Sequence, residues 1–226
     1  IGGDDRLRAV ILTARGKTRY GQNRLDEAVL DLEQGLALAE RAYGSESPEL
    51  FPHLWARPLL WGPDKGFEEI TAFGRHFISI MEKALGSSHP SVGFPLLALA
   101  ETMDHWERTE EAIGYYSRGI ELLKGALIEE SFPLVLSRLE MAVALCTVGR
   151  CDRAEELVAN VSIKLPKFEQ RDGEFATKLA TVRWLQGRTA EAIALAERGV
   201  AADAQTFGLD SPLHMDVLVD AAPIYA

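Results

Sequence analysis

Residues 149–154 read Gly149-Arg150-Cys151-Asp152-Arg153-Ala154, and residues 187–192 read Gly187-Arg188-Thr189-Ala190-Glu191-Ala192. A glycine can take the left-handed backbone that ends a helix without a steric cost. Acidic side chains in the turn that follows favour the positive end of the next helix. Each stretch therefore reads as the tight junction between two helices. The same signature recurs as Asn23-Arg24-Leu25-Asp26-Glu27-Ala28, Lys65-Gly66-Phe67-Glu68-Glu69-Ile70 and Glu107-Arg108-Thr109-Glu110-Glu111-Ala112. The final residues fall at 28, 70, 112, 154 and 192, with spacings of 42, 42, 42 and 38.

A second marker keeps the same step. Gly44-Ser45-Glu46-Ser47-Pro48 returns as Gly86-Ser87-Ser88-His89-Pro90 and Gly208-Leu209-Asp210-Ser211-Pro212, with a weaker copy at Glu130-Ser131-Phe132-Pro133. Proline suits the first turn of a helix, where its missing N–H is not needed. Ser47, Ser88, Ser131 and Ser211 stand near those starts as capping candidates. Between the markers, apolar residues recur at helical period, as in Leu25, Ala28, Val29, Leu32 and Leu36. No run alternates with period two, so no sheet is expected.

The markers predict an all-α solenoid of antiparallel helix pairs, with about eleven helices in one array over residues 1–226. The repeats span ~6–44, ~48–86, ~90–128, ~132–166 and ~174–207, and a terminal helix spans ~212–225. First helices run ~6–21, ~48–61, ~90–105, ~132–148 and ~174–186; second helices run ~25–43, ~67–85, ~109–127, ~152–165 and ~189–206. Pro58 falls in the middle of one first helix and predicts a kink or a break there. A polar link, Lys167 to Gly173, is expected to change the pitch locally. The start, Ile1 to Val10, carries no secretory signal and no initiator Met, and the apolar last helix has no partner after it. Both features suggest a piece of a larger protein, with a capping role for the last helix as the alternative.

The Gly-Arg-x-x-Glu-Ala-like turns and the Gly-x-x-x-Pro starts resemble the tetratricopeptide repeat, and the 42-residue period resembles its kinesin-light-chain type. The family's small position, 12 residues before the Ala, maps to Gly16, Pro58, Ala100, Ala142 and Ala180. The resemblance implies a right-handed α-solenoid, a non-catalytic protein-interaction scaffold that holds a peptide or an amphipathic helix in a concave groove lined by the first helices. By the family's register that groove holds Lys17, Tyr20, Trp55, Leu59, Phe94, Leu97, Glu101, Leu136, Leu139, Val143 and Trp184. The lysine and asparagine set of a carboxylate clamp is missing, and so is the asparagine row of cargo-binding kinesin light chains. What remains is an apolar centre, readable either as an open binding surface or as inter-helix core.

Composition narrows the partner. Net charge is -10 from 24 Lys+Arg and 34 Asp+Glu, which leaves no electrostatic footprint for nucleic acid or an anionic membrane. No apolar run reaches the ~18 residues of a membrane span. Cys146 and Cys151 are too few for a disulfide scaffold and suggest a reducing, cytoplasmic setting. They are read as two separately packed side chains, with a metal or redox pair as the alternative. No Gly-rich phosphate loop, G-x-S-x-G elbow, H-E-x-x-H or C-x-x-C is present, so no enzyme activity, metal or cofactor is expected. Arg outnumbers Lys by 17 to 7, which resembles proteins of high-GC bacteria. Arrays of this kind resemble regulatory regions of bacterial signalling proteins such as serine/threonine kinases. Self-assembly into a homodimer or longer stack through the terminal helix is the alternative function.

Overall fold

The computed structural model describes residues 2–54, 66–128, 131–159 and 172–225. These are helical almost throughout, and none of them forms a strand. The first pair is α1 (Gly2–Gly21) with α2 (Leu25–Tyr43). A 3-10 turn, Pro48–Leu50, leads into α3 (Phe51–Leu54), and α4 (Phe67–Leu85) follows. Another such turn, Pro90–Val92, leads into α5 (Gly93–His105), which pairs with α6 (Thr109–Lys124). Next come α7 (Phe132–Thr147) with α8 (Cys151–Val158), then α9 (Asp172–Leu185) with α10 (Thr189–Phe207). The described chain ends with α11 (Pro212–Ala221) and a last 3-10 turn, Ala222–Tyr225.

The junction inside each pair explains the first sequence marker. Asn23, Glu107, Gly149 and Gly187 all have φ between 59° and 79°. The amide after each one reaches five residues back: Arg24 to Arg19, Arg108 to Met103, Arg150 to Leu145 and Arg188 to Arg183, at 2.8–2.9 Å. This is the Schellman closure, which needs one left-handed residue. The arginine then pairs with a nearby glutamate: Arg24 with Glu27, Arg108 with Glu111, Arg188 with Glu191, and Arg150 with Glu110 of the preceding unit. Ala28, Ala112, Ala154 and Ala192 are buried where the two helices meet, as are Gly16, Ala100, Ala142 and Ala180 at the small position.

Close approach is also built two turns further along. Gly93 faces Gly119, and Gly173 faces Gly199. A Cβ on Gly119 would lie 2.7 Å from Leu97 Cδ2, and one on Gly173 would lie 2.8 Å from the Gly199 carbonyl oxygen. At the same place in the second unit, Phe51 stacks on Phe77 with centroids 5.8 Å apart.

The second marker behaves as a helix start with one correction. Ser47 Oγ accepts the Glu49 amide. At the next copy the cap is His89, whose Nδ1 accepts the Ser91 amide at 3.1 Å, and not Ser88. The residue just before Pro90 holds the extended N-cap backbone, and Ser88 lies one place too early. Ser131 holds the N-cap backbone, but its buried Oγ has no partner among the described residues. Ser211 Oγ donates to the Gly21 carbonyl, 190 residues away, so the start of α11 comes back to the end of α1.

Further expectations change. The fifth unit's first helix begins at Asp172, so Asp172 and Gly173 belong to α9 and not to a polar link. The buried approach of Gly173 to Gly199 is what carries the helix back to that point. Cys146 and Cys151, expected to pack separately, are joined in a disulfide. The left-handed turn at Gly149 explains this: it folds the chain back within five residues and leaves the two Cα atoms 4.3 Å apart. The fourth unit's second helix, expected over ~152–165, is α8 and closes at Val158 with Ala159 as its C-cap. Pro58 and the link up to Arg171 lie outside the described residues.

Candidate binding groove

First helices α7 and α9 pack side by side, and α5 lies next to α7. Their shared register decides which side chains reach the surface between them. Positions 18, 14 and 11 residues before the marker Ala are all exposed or half-buried. In the third unit these are Phe94, Ala98 and Glu101; in the fourth, Leu136, Glu140 and Val143; in the fifth, Glu174, Lys178 and Thr181. The position 15 before the Ala is buried every time it is described: Thr13, Leu97, Leu139 and Thr177. One residue is 100° of rotation on a helix, so a shift from 15 to 14 turns a side chain from the pair's interior to its surface.

The sequence-derived residues divide accordingly. Phe94, Leu136, Val143 and Tyr20 are half-buried on first helices; Lys17 and Glu101 are exposed, and Trp184 is 38% exposed. Leu97 and Leu139, at 6% and 0% exposure, are core side chains. Leu97 lies against Gly119 of its own pair, so it faces the second helix and not the open groove. Trp55 and Leu59 lie outside the described residues.

Sequence reasoning missed the polar floor of this surface. Tyr116 is buried on α6, and burial, with the charge of Glu140 on α7, holds its phenol well above the ordinary value. Burial holds the Glu140 carboxyl well above the usual carboxylate range; Glu101, Glu174 and Asp104 push it further up, and Lys178 draws it down. Asp104 is also raised by burial, against a hydrogen bond with Thr109 and the charges of Lys178 and His105. A glutamate among leucines at one helical step from the assumed groove row was the available signal.

A second polar cluster lies in the first unit. Thr13 Oγ1 and His53 Nδ1 are 2.6 Å apart in the core between α1 and α3. Burial and the Lys17 charge both push the imidazole of His53 below its ordinary value. Asp31 is buried and takes a two-pronged contact from Arg15, with Arg19 beside it, which clamps α2 to α1.

Among the described residues no group of three or more His, Cys, Asp and Glu side chains is placed to hold a metal ion. An apolar cavity of ≈ 550 Å³ lies elsewhere, between α10 and α11, walled by Val200, Ala204, His214, Leu218 and Tyr225. No described helix is long and apolar enough to cross a membrane.

The family model of the tetratricopeptide repeat matches residues 9–49, the first helix pair and the turn after it. The fold matches a structure titled as Podosopora anserina putative kinesin light chain nearly identical TPR-like repeats. Its TM-score is 0.61 at 23% identity, over 89% of this chain and 97% of that one. The chain has the fold of a tetratricopeptide-repeat α-solenoid, and its first helix pair matches the repeat itself. A singly substituted form of the same Podosopora anserina protein matches this array equally, with a TM-score of 0.60 at 23% identity, over 89% of this chain and 96% of that one. A curated relative of the array is RxLR effector protein SFI4 of Phytophthora infestans (strain T30-4), 25% identical over 223 residues. The match covers 94% of this chain and 64% of the effector's length.

Proposed function

We propose that the array is a non-catalytic scaffold that holds a peptide or an amphipathic helix along its first-helix face. The observation that carries this reading is the row at positions 18, 14 and 11, which leaves Phe94, Leu136 and Val143 only half-buried on neighbouring helices. Apolar side chains presented side by side at a surface favour a partner that covers them. The relative's description as an effector supports action through a partner protein. Its organism, Phytophthora infestans, and that of the matched structures weigh against the bacterial kinase setting suggested by arginine content. The Cys146–Cys151 disulfide favours an oxidising compartment over the cytoplasm.

The test pairs two substitutions. Leu136→Glu should abolish capture of a partner and leave the melting temperature close to that of the parent. Leu97→Glu should instead lower the melting temperature sharply, because it places an unpaired charge in the core. Loss of capture with Leu136→Glu only when the protein also unfolds would sink the groove reading. A second reading, assembly of copies through α11, is favoured by the exposure of Met215 and Val219. A mass by light scattering that stays monomeric at every concentration would rule it out.

A further inference from the structure

Both ends of the array present apolar side chains at positions that the inner units keep covered. On α1, Leu7, Val10, Ile11 and Ala14 share one helical face, and all are exposed. Ile11 lies 17 residues before its marker, Ala28. The residues at the same step in the later units, His53, Pro95, Ser137 and Phe175, are all buried. Cover there comes from the unit before: His53 meets Thr13 of α1, and Phe175 meets Phe132 of α7 with ring centroids 5.3 Å apart. Ile11 is 52% exposed.

The last helix, α11, is open on a different side. Counted from Pro212, Met215 stands where Gly93 stands from Pro90, and Val219 where Leu97 stands. Gly93 and Leu97 both meet Gly119 on α6, the second helix of their pair. Met215 and Val219 are instead more than half exposed. Beside them Leu218 and Tyr225 wall the cavity between α10 and α11, together with Val200 and Ala204. This open side is a seat for a helix with an apolar stripe.

We propose that the occupant is a second copy of this chain, whose α1 stripe lies on α11 and over the α10–α11 cavity, so that copies join end to end. The inference rests on the reading of assembly through α11 and names the surface that α11 takes. Charge favours α1 over a second α11. The α1 helix carries five Lys and Arg against two Asp, whereas residues 199–225 hold four Asp and no Lys or Arg. Two α11 ends brought together would set acid against acid; α11 on α1 sets acid against base. Lys17, exposed, stands one turn beyond Ala14 on the α1 side, and exposed Glu197 lines the cavity on the other. A chain's own α1 does not fill its own seat: it is paired with α2, and its stripe is exposed although Gly21 at its far end meets Ser211. The contact joins two different surfaces, so it repeats from copy to copy, and growth ends only where a ring closes.

Sedimentation equilibrium of the 226-residue chain over a range of concentrations tests this. The mass of the parent should rise with concentration. Ile11→Glu spoils the stripe and leaves the seat; Leu218→Glu spoils the seat and leaves the stripe. Each alone should stay monomeric. Mixed in equal amounts, they should form a one-to-one dimer and nothing larger, because one intact stripe then meets one intact seat. Melts show that each variant is folded, and Tyr225→Glu, on the same cavity wall, replaces Leu218→Glu if that variant is not. A parent that is monomeric at every concentration overturns both this pairing and the assembly reading, as does association that neither substitution alters. Association that Leu218→Glu abolishes and Ile11→Glu leaves intact keeps assembly through α11 but overturns α1 as its occupant. Two monomeric variants that fail to pair when mixed overturn the end-to-end contact as well.

Discussion

At the scale of single residues, buried ionisable groups set how stability follows pH. Glu140 is held protonated in the fold above the range where the unfolded chain ionises. Between those two values the folded state binds more protons than the unfolded state, so stability falls as pH rises through that window. Glu140→Gln should therefore raise the melting temperature at neutral pH and flatten its decline from acid to neutral; denaturant melts across that range check it. His53 works in the opposite sense. Its imidazole is depressed by burial and by Lys17, so its contribution is present above the unfolded value and lost as pH falls through the folded one. His53→Gln should remove part of the acid sensitivity while costing stability at neutral pH through the lost Thr13 contact. A variant that melts in acid like the parent would contradict this.

At the scale of elements, the turn and the crossing each carry a specific backbone demand. Glu107 occupies the left-handed position at φ 59° that Gly149 and Gly187 occupy in later units. Glu107→Gly should stabilise the protein by about 1 kcal/mol, measured by urea unfolding, because relief of strain exceeds the added chain entropy. The α5–α6 crossing tolerates nothing larger than glycine at residue 119, where a Cβ would sit 2.7 Å from Leu97 Cδ2 and 3.1 Å from the Gly93 carbonyl oxygen. Gly119→Ala should cost about 1–3 kcal/mol from overpacking, although alanine favours helices. An unchanged urea midpoint would mean that α5 and α6 can separate there without cost. The turn demand was legible in the sequence, since Gly, Asn and the following Arg recur at one step. The crossing was written there too, as Gly93 with Gly119 and Gly173 with Gly199, yet it is visible only once the pairing of helices is known.

At the scale of the whole molecule, each unit packs mainly on its neighbours, and one apolar core runs from α1 to α9. A smaller cluster around Ala180, Ala192, Ala196 and Ile224 joins α9 and α10 to the last 3-10 turn. In such an array stability is a sum of unit and interface contributions, so ends open before the middle. Amides of α5, α6 and α7 should therefore exchange with solvent most slowly, followed by hydrogen exchange with mass detection. Uniform protection from α1 to α11 would instead mean that the meeting of Ser211 with Gly21 ties the two ends into one cooperative body.

The period, the pairing of helices and the turn chemistry were determined by the sequence itself. They rest on local demands: a left-handed residue, a proline at a helix start, a small residue every repeat. The tertiary structure alone decided three other matters. It turned Leu97 and Leu139 inward while leaving Leu136 and Val143 half-buried at the surface, because one residue is 100° on a helix and only the neighbouring helices say which way is in. It set Glu140 within electrostatic reach of Glu101 and Glu174 from the neighbouring units, where burial raises the Glu140 carboxyl. It joined Cys146 to Cys151, because the tight turn between them folds the chain back.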